Sequence, residues 1–315
     1  MHKPETAIAV KNLVKSFGRK QVLKELGFSV PFDTIAGFLG PNGAGKTTTL
    51  RMLLGLIPGN KGEISLLGHS MPGGRPAALE QIGAVVENPT FIESMTACEN
   101  LYWFGSLYKP VTQERILEVI AMVGLKDAAR QRFGTFSTGM KQRLGVAFGI
   151  LHRPRLLILD EPTSGMDPAG RVHMRDILTR IHKEEKTSIF LSSHLLDEVQ
   201  RLCNYVVIID GGRTVKEGYV ADLLSDHHEK WEVRIADKDT VKANDIIATM
   251  RDEVVAVESF ARGFILTVNN GCSAAVNSAL VKNGIEVKAL IPLTASLEDT
   301  FIKLTGNGDS AGGGK

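Results

Sequence analysis

The sequence predicts an α/β fold over most of its length, followed by a smaller α+β unit. Three observations carry this expectation. Apolar runs of strand length stand at Ile35–Leu39, 156–159, 188–191 and 206–209, as buried strands do. Helical patterning fills residues 46–55, 97–108, 113–123, 140–151 and 168–184 between them. After about Asp226 the order becomes strand (231–235), helix (241–250), strands (254–260 and 264–268), helix (274–282) and strand (286–291). That βαββαβ order is the one of a ferredoxin-like unit.

Taken along the chain, the strand at Ile35–Leu39 runs into a glycine-rich segment and then into the helix at 46–55. The helix at 168–184 has its start written in sequence, with Asp167 as cap and Pro168 at the first helical position. A last helix is expected at 296–304, and residues 306–315, with Gly312-Gly313-Gly314, read as a mobile tail. The expected organisation is a first domain over 1–226 with a helical subdomain at about 90–150, an accessory unit over 227–305, and the tail. No internal repeat is evident.

Composition narrows the function. Of 315 residues, 43% are hydrophobic and 23% charged, which excludes a disordered, collagen-like or coiled-coil chain. A net charge of +2 gives no general reason to expect nucleic acid as a partner. Cys98, Cys203 and Cys272 are odd in number and widely spaced, so neither a disulfide framework nor a zinc site is suggested, and a reducing cytosol fits. No apolar stretch is long enough for a signal peptide or a spanning helix, so any service to a membrane would run through another polypeptide.

Gly40-Pro41-Asn42-Gly43-Ala44-Gly45-Lys46-Thr47-Thr48 satisfies the phosphate-loop pattern G-x-x-x-x-G-K-[ST], between an expected strand and an expected helix. The glycines let successive N–H groups turn inward, and the helix adds its positive end. Lys46 is expected at the β- and γ-phosphates, Thr47 on Mg²⁺ and Thr48 near the α-phosphate. A second apolar strand ends in Asp160-Glu161, which puts two acids at the carboxyl edge of the sheet. Asp160 is read as a Mg²⁺ ligand and Glu161 as the group that polarises the attacking water. An Asp-Glu pair alone is more often a solvated strand end. Its company with the phosphate loop favours catalysis.

Phe136-Ser137-Thr138-Gly139-Met140-Lys141-Gln142-Arg143, shortly before Asp160, resembles the signature motif of ABC ATPases. Ser164-Gly165-Met166-Asp167 resembles their D-loop, and Ser192-Ser193-His194 their switch histidine. These motifs stand in the family's order over about residues 7–220. The resemblance implies a P-loop NTPase fold of the ABC cassette type, with Lys46, Glu161 and His194 catalytic. It also implies that Phe17 stacks on adenine, and that Ser137, Thr138 and Gly139 close over the γ-phosphate held by a second cassette. Two cassettes are then required, and a homodimer would give two equivalent sites.

Glu87 stands where most such cassettes carry a glutamine that links metal, water and the membrane partner. An acid there can still bind Mg²⁺ but cannot donate as an amide does. Thr138 and Met140 also depart from the commoner signature, while Ser137 and Gly139 keep it. Glu87-Asn88-Pro89, this signature and Ser296-Leu297-Glu298-Asp299 resemble the cassettes of bacitracin and lantibiotic exporters.

The segment with Phe91, Met95, Leu101, Tyr102, Trp103, Phe104 and Tyr108 is read mainly as a local core, with one or two aromatics lining a groove for a permease helix. His227-His228 is read as solvated linker. The function expected is an ATP-hydrolysing subunit under a separate permease at the cytoplasmic face of the membrane, exporting a peptide antibiotic or drug. The alternatives are a soluble ATPase acting on the ribosome or nucleic acid, an importer cassette, or a regulatory module with little turnover.

Overall fold

The computed structural model of the protein describes residues 6–87, 89–107, 111–224, 228–260, 262–293, 297–298 and 300–301. Tyr108, His227 and the tail expected at 306–315 lie outside the described residues. Of the helix expected at 296–304, residues 297, 298, 300 and 301 are described and are helical. The chain divides into two units between Val220 and Ala221, slightly ahead of the boundary read from sequence.

The first unit opens on an antiparallel sheet. β1 (Thr6–Phe17) turns tightly into β2 (Lys20–Pro31), with Phe17 paired to Lys20. β3 (Ile35–Leu39) and α1 (Lys46–Leu53) follow, and then β4 (Lys61–Leu66) and β5 (His69–Met71) complete the sheet in the order β2-β1-β4-β5. Apolar runs do not reveal this sheet, because its strands alternate buried and exposed residues and the register shifts repeatedly, between Val10 and Leu13 for example.

α2 (Arg75–Leu79) leads to β6 (Ile82–Val85). Three helices come next, α3 (Ala97–Gly105), α4 (Gln113–Met122) and α5 (Thr138–Gly149), before β7 (Leu156–Asp160). Then come α6 (Pro168–Glu185), β8 (Ser188–Ser193), α7 (Leu196–Leu202), β9 (Tyr205–Asp210) and β10 (Arg213–Tyr219). The six-stranded sheet has the order β10-β9-β3-β8-β7-β6 and is parallel except at β10. Every residue of β3, β7 and β8 is buried. Strands covered on both faces read as continuous apolar runs, which is why these were legible. Phe28, Phe38 and Phe190 pack with ring centroids 5.3 to 5.8 Å apart and fill the space between the two sheets.

The helical segment between β6 and β7 has its own supports. Thr96 caps α3, and Glu99 returns the bond in a capping box. Asn100 is fully buried and holds the preceding loop through both the N–H and the carbonyl of Ile92, at 2.8 and 3.1 Å. Arg115 of α4 donates to the carbonyls of Ile150 and Leu151 at 2.6 and 3.1 Å and to Glu185 of α6 at 2.7 Å. With both side chains under a tenth exposed, this pair fastens α4 to the end of α5 and to α6.

α8 (Val220–Leu224) crosses the boundary. The second unit contains β11 (His228–Ile235), α9 (Thr240–Thr249), β12 (Val254–Phe260), β13 (Gly263–Asn269), α10 (Ser273–Lys282) and β14 (Val287–Leu293). Its antiparallel sheet has the order β12-β13-β11-β14, the strand order of a ferredoxin-like fold. Val233, Phe264, Leu266 and Val268 pack with Ala243, Ile247, Val276 and Leu280 in a core of its own.

Removing one member of a buried ion pair strands the other. Arg115→Ala should therefore destabilise the first unit by about 3 to 5 kcal/mol, read from urea unfolding monitored on that unit.

Candidate functional site

In the six-stranded sheet β3, β8 and β7 are adjacent, so the loops leaving their carboxyl ends share one edge. Those loops carry Lys46, His194 and Glu161. The phosphate loop curls because Gly45, at the N-cap of α1, has φ 107°, and a Cβ there would lie 2.5 Å from Leu23 Cδ2. Pro41, Asn42 and Gly43 are exposed; Ala44, Gly45 and Lys46 are buried; Thr47 and Thr48 are half-buried. Lys46 Nζ donates to the carbonyl of Gly40 at 2.8 Å, and it lies 3.6 Å from Glu161 Oε1.

The two acids are fixed by one hydroxyl. Ser192 Oγ, fully buried at the end of β8, donates to Asp160 Oδ1 at 2.5 Å and accepts from the backbone N–H of Glu161 at 2.9 Å. Glu161 itself adopts φ 48°, a left-handed conformation rare for such a side chain. Its Oε2 lies 2.7 Å from His194 Nδ1. The structure thus brings the three residues expected to be catalytic into one chain of contacts, Lys46 to Glu161 to His194.

The donor set suits MgATP. A buried cation and the N-terminal end of α1, with no acid in its first turn, face the loop, as polyphosphate requires. The Thr47 hydroxyl and the Asp160 carboxylate are the hard oxygen donors that Mg²⁺ takes alongside substrate phosphates.

The remaining expected residues stand on other elements. Phe17, at the end of β1, is 51% exposed, with Lys15 Nζ 4.9 Å from its ring centroid. Ser137 caps α5, accepting from the Met140 N–H at 3.3 Å, and Thr138, which begins the helix two residues earlier than expected, is exposed beside it. Among the described residues, none of Ser137, Thr138 and Gly139 bonds to Lys46, Glu161 or His194. Glu87, just after β6, has φ 70° and pairs with Arg51 in the last turn of α1.

Of the aromatics between Glu87 and Ser137, Phe91 is core, in edge contact with Phe104, Phe133 and Phe148. Leu101 is also buried, whereas Tyr102 and Trp103 are 60% and 57% exposed.

Sequence reading assigned no role to Ser192, Arg51 or Glu198. Ser192 left a faint signal, its place in the Ser192-Ser193-His194 run that resembles the switch-histidine motif. Arg51 and Glu198 sit in helices amid other charges and left none.

Comparison with known proteins agrees with this geometry. A family model described as ABC transporter matches residues 23–164. The bacitracin transport ATP-binding protein BcrA of Bacillus licheniformis is 37% identical over 304 residues, covering 96% of this chain and 98% of that protein. The uncharacterized ABC transporter ATP-binding protein YdbJ of Bacillus subtilis is also 37% identical, with 96% of each chain covered. A solved ATP-binding subunit of an ABC transporter superposes with a TM-score of 0.61 at 29% identity, over 69% of this chain and 92% of that one. The chain belongs to the ATP-binding subunits of ABC transporters, a family that binds and hydrolyses ATP.

Proposed function

We propose that two copies of this cassette close on MgATP and, on hydrolysis, drive a separate membrane permease that exports a peptide antibiotic or drug. The observation that carries the chemistry is the position of Glu161, held between Lys46 and His194 with its backbone pinned by Ser192. Lys46 binds the β- and γ-phosphates. Glu161 accepts the proton of the attacking water, and His194 orients Glu161 while meeting the γ-phosphate. Thr47, Asp160 and Glu87 would hold Mg²⁺, which would supply positive charge against the charge developing on the phosphates.

Ser137 and Thr138 stand exposed and Gly139 half-buried at the N-terminus of α5, a suitable surface for another chain's nucleotide. Phe17, equally open, offers its ring to the adenine.

The seat proposed for the permease lies beside β6. A cavity of about 360 Å³ is lined by Leu54, Leu56, Leu79, Ile82, Val86 and Phe148, next to Glu87 in sequence. A short amphipathic helix would lay its apolar face there. No helix among the described residues is long and apolar enough to cross a membrane, which fits a subunit that reaches the cytoplasmic face of the membrane through a partner. Relatives' names support the cargo and direction proposed: BcrA is a bacitracin transport protein, LnrL of Bacillus subtilis, 36% identical over 69% of this chain, a linearmycin resistance protein, and a Nod factor export ATP-binding protein of Cupriavidus pinatubonensis is 33% identical over 95% of this chain.

Glu161→Gln should still bind ATP while turnover falls by about 10² to 10⁴, and it should trap an ATP-bound dimer visible by gel filtration. Turnover equal to the unaltered protein would sink the assignment of Glu161 as base. Leu56, 59% exposed in the cavity wall, can change without disturbing the core. Leu56→Asp should leave the melting temperature unchanged, abolish copurification with a coexpressed permease, and remove resistance to the exported compound.

A further inference from the structure

The turn that follows Glu161 is tied at both ends to one carboxylate. Glu198 Oε2 accepts a hydrogen bond from Thr163 Oγ1 at 2.7 Å, and Glu198 Oε1 accepts one from Arg171 Nη1 at 3.4 Å. Thr163 precedes Ser164-Gly165-Met166-Asp167. Arg171 stands one helical turn beyond it in α6, its own N–H donating to the Asp167 carbonyl at 3.0 Å. A single side chain therefore spans the whole turn. It is 22% exposed, so water competes with these bonds only in part.

The post on which Glu198 stands is firm. Its neighbour Val199 is 1% exposed, and α7 lies so close on β3 that a Cβ at Gly37 would come within 2.4 Å of Val199 Cγ1. β3 is the strand that leads into the phosphate loop. At the other end of the linkage, Glu161 begins the turn in its left-handed conformation, and its carbonyl accepts from the Ser164 N–H at 3.0 Å. A residue in that region keeps its shape because its surroundings impose it. Ser192 supplies one restraint, from upstream. Downstream, Thr163 is two residues away, and Glu198 holds it.

We propose that Glu198 is a positioning residue for ATP hydrolysis: it clamps the segment from Thr163 to Arg171 so that Glu161 keeps its carboxylate between Lys46 and His194. The clamp also refers the turn 164–167 to the strand that bears the phosphate loop. This inference rests on Glu161 acting as the base. Its effect on the rate is through placement, so it should appear in kcat and leave the binding of MgATP nearly untouched.

The test uses the purified full-length protein and steady-state ATP hydrolysis. Glu198→Ala and Thr163→Val should each lower kcat by about 10- to 100-fold, as small misplacements of catalytic groups do, with KM changed less than about 3-fold. The double variant should be no slower than Glu198→Ala alone, because both substitutions remove the same contact. Glu198→Gln keeps an acceptor for Thr163 and should recover most of the rate.

A kcat for Glu198→Ala within about 2-fold of the unaltered protein, or losses that multiply in the double variant, would overturn the clamp. Glu161→Gln measured in parallel separates this failure from that of the base assignment. If that variant turns over normally, the clamp is judged by hydrogen exchange over residues 162–167. Exchange there should quicken by about 10-fold or more in Glu198→Ala, and unchanged exchange would overturn it.

Discussion

The active edge of this protein depends on one buried hydroxyl. Ser192 Oγ donates to Asp160 and accepts from the backbone of Glu161, so it fixes the spacing between the ends of β7 and β8 and the direction in which the chain leaves β7. A hydrogen bond to a carboxylate is stronger than one between neutral groups, and burial keeps water from replacing it. Without it Asp160, only 8% exposed, would lose a hydrogen-bond donor, and Glu161 would be freer to relax from φ 48°. The left-handed backbone is what turns the second acid back over the sheet edge, toward Lys46 and His194.

Strand order explains why so small a link suffices. β3, β8 and β7 stand side by side in a parallel sheet, so side chains at their carboxyl ends reach one another across the shared edge. The helical segment α3 to α5 enters the chain between β6 and β7, and α5 hands over to β7, the strand of the acids. Arg115 fastens that segment back to α6 by a buried pair with Glu185. The exposed N-terminus of α5 is thereby carried on a segment fastened to α6 and continuous in chain with the strand of the acids, which suits the proposed role of that surface.

Much of this was legible because its physics is local. A phosphate loop needs glycines and a helix start at fixed spacing, and a strand buried on both faces needs an unbroken apolar run; both leave contiguous marks. The βαββαβ order of the second unit was readable for the same reason, and the ferredoxin-like pattern it implied agrees with the strand order β12-β13-β11-β14, although the register between distant strands leaves no local trace. β1, β2, β4 and β5 were missed because alternation broken by bulges mimics irregular chain. Ser192 and Glu198 act across 27 to 35 residues, through two hydrogen bonds each, and a lone serine or glutamate announces nothing. The left-handed φ of Glu161 is likewise a tertiary outcome: no residue type at 161 predicts it, and glutamate argues against it.

The glutamate at position 87 is the departure from the family pattern that sequence alone left hardest to reconcile with phosphate chemistry. A carboxylate adds a negative charge where an amide has none, which works against a highly charged substrate at the proposed site. The structure sets Arg51, on the helix that begins at the phosphate loop, in direct contact with that carboxylate. Glutamate and arginine together carry no net charge, as a glutamine carries none, so the pair restores the electrostatic balance of the commoner residue. Both side chains keep substantial contact with solvent, 40% for Arg51 and 58% for Glu87, so the attraction is modest and the pair can open. An acid in this place is thus not a liability by itself, because the counter-charge travels with the same helix that begins at the phosphate-loop motif.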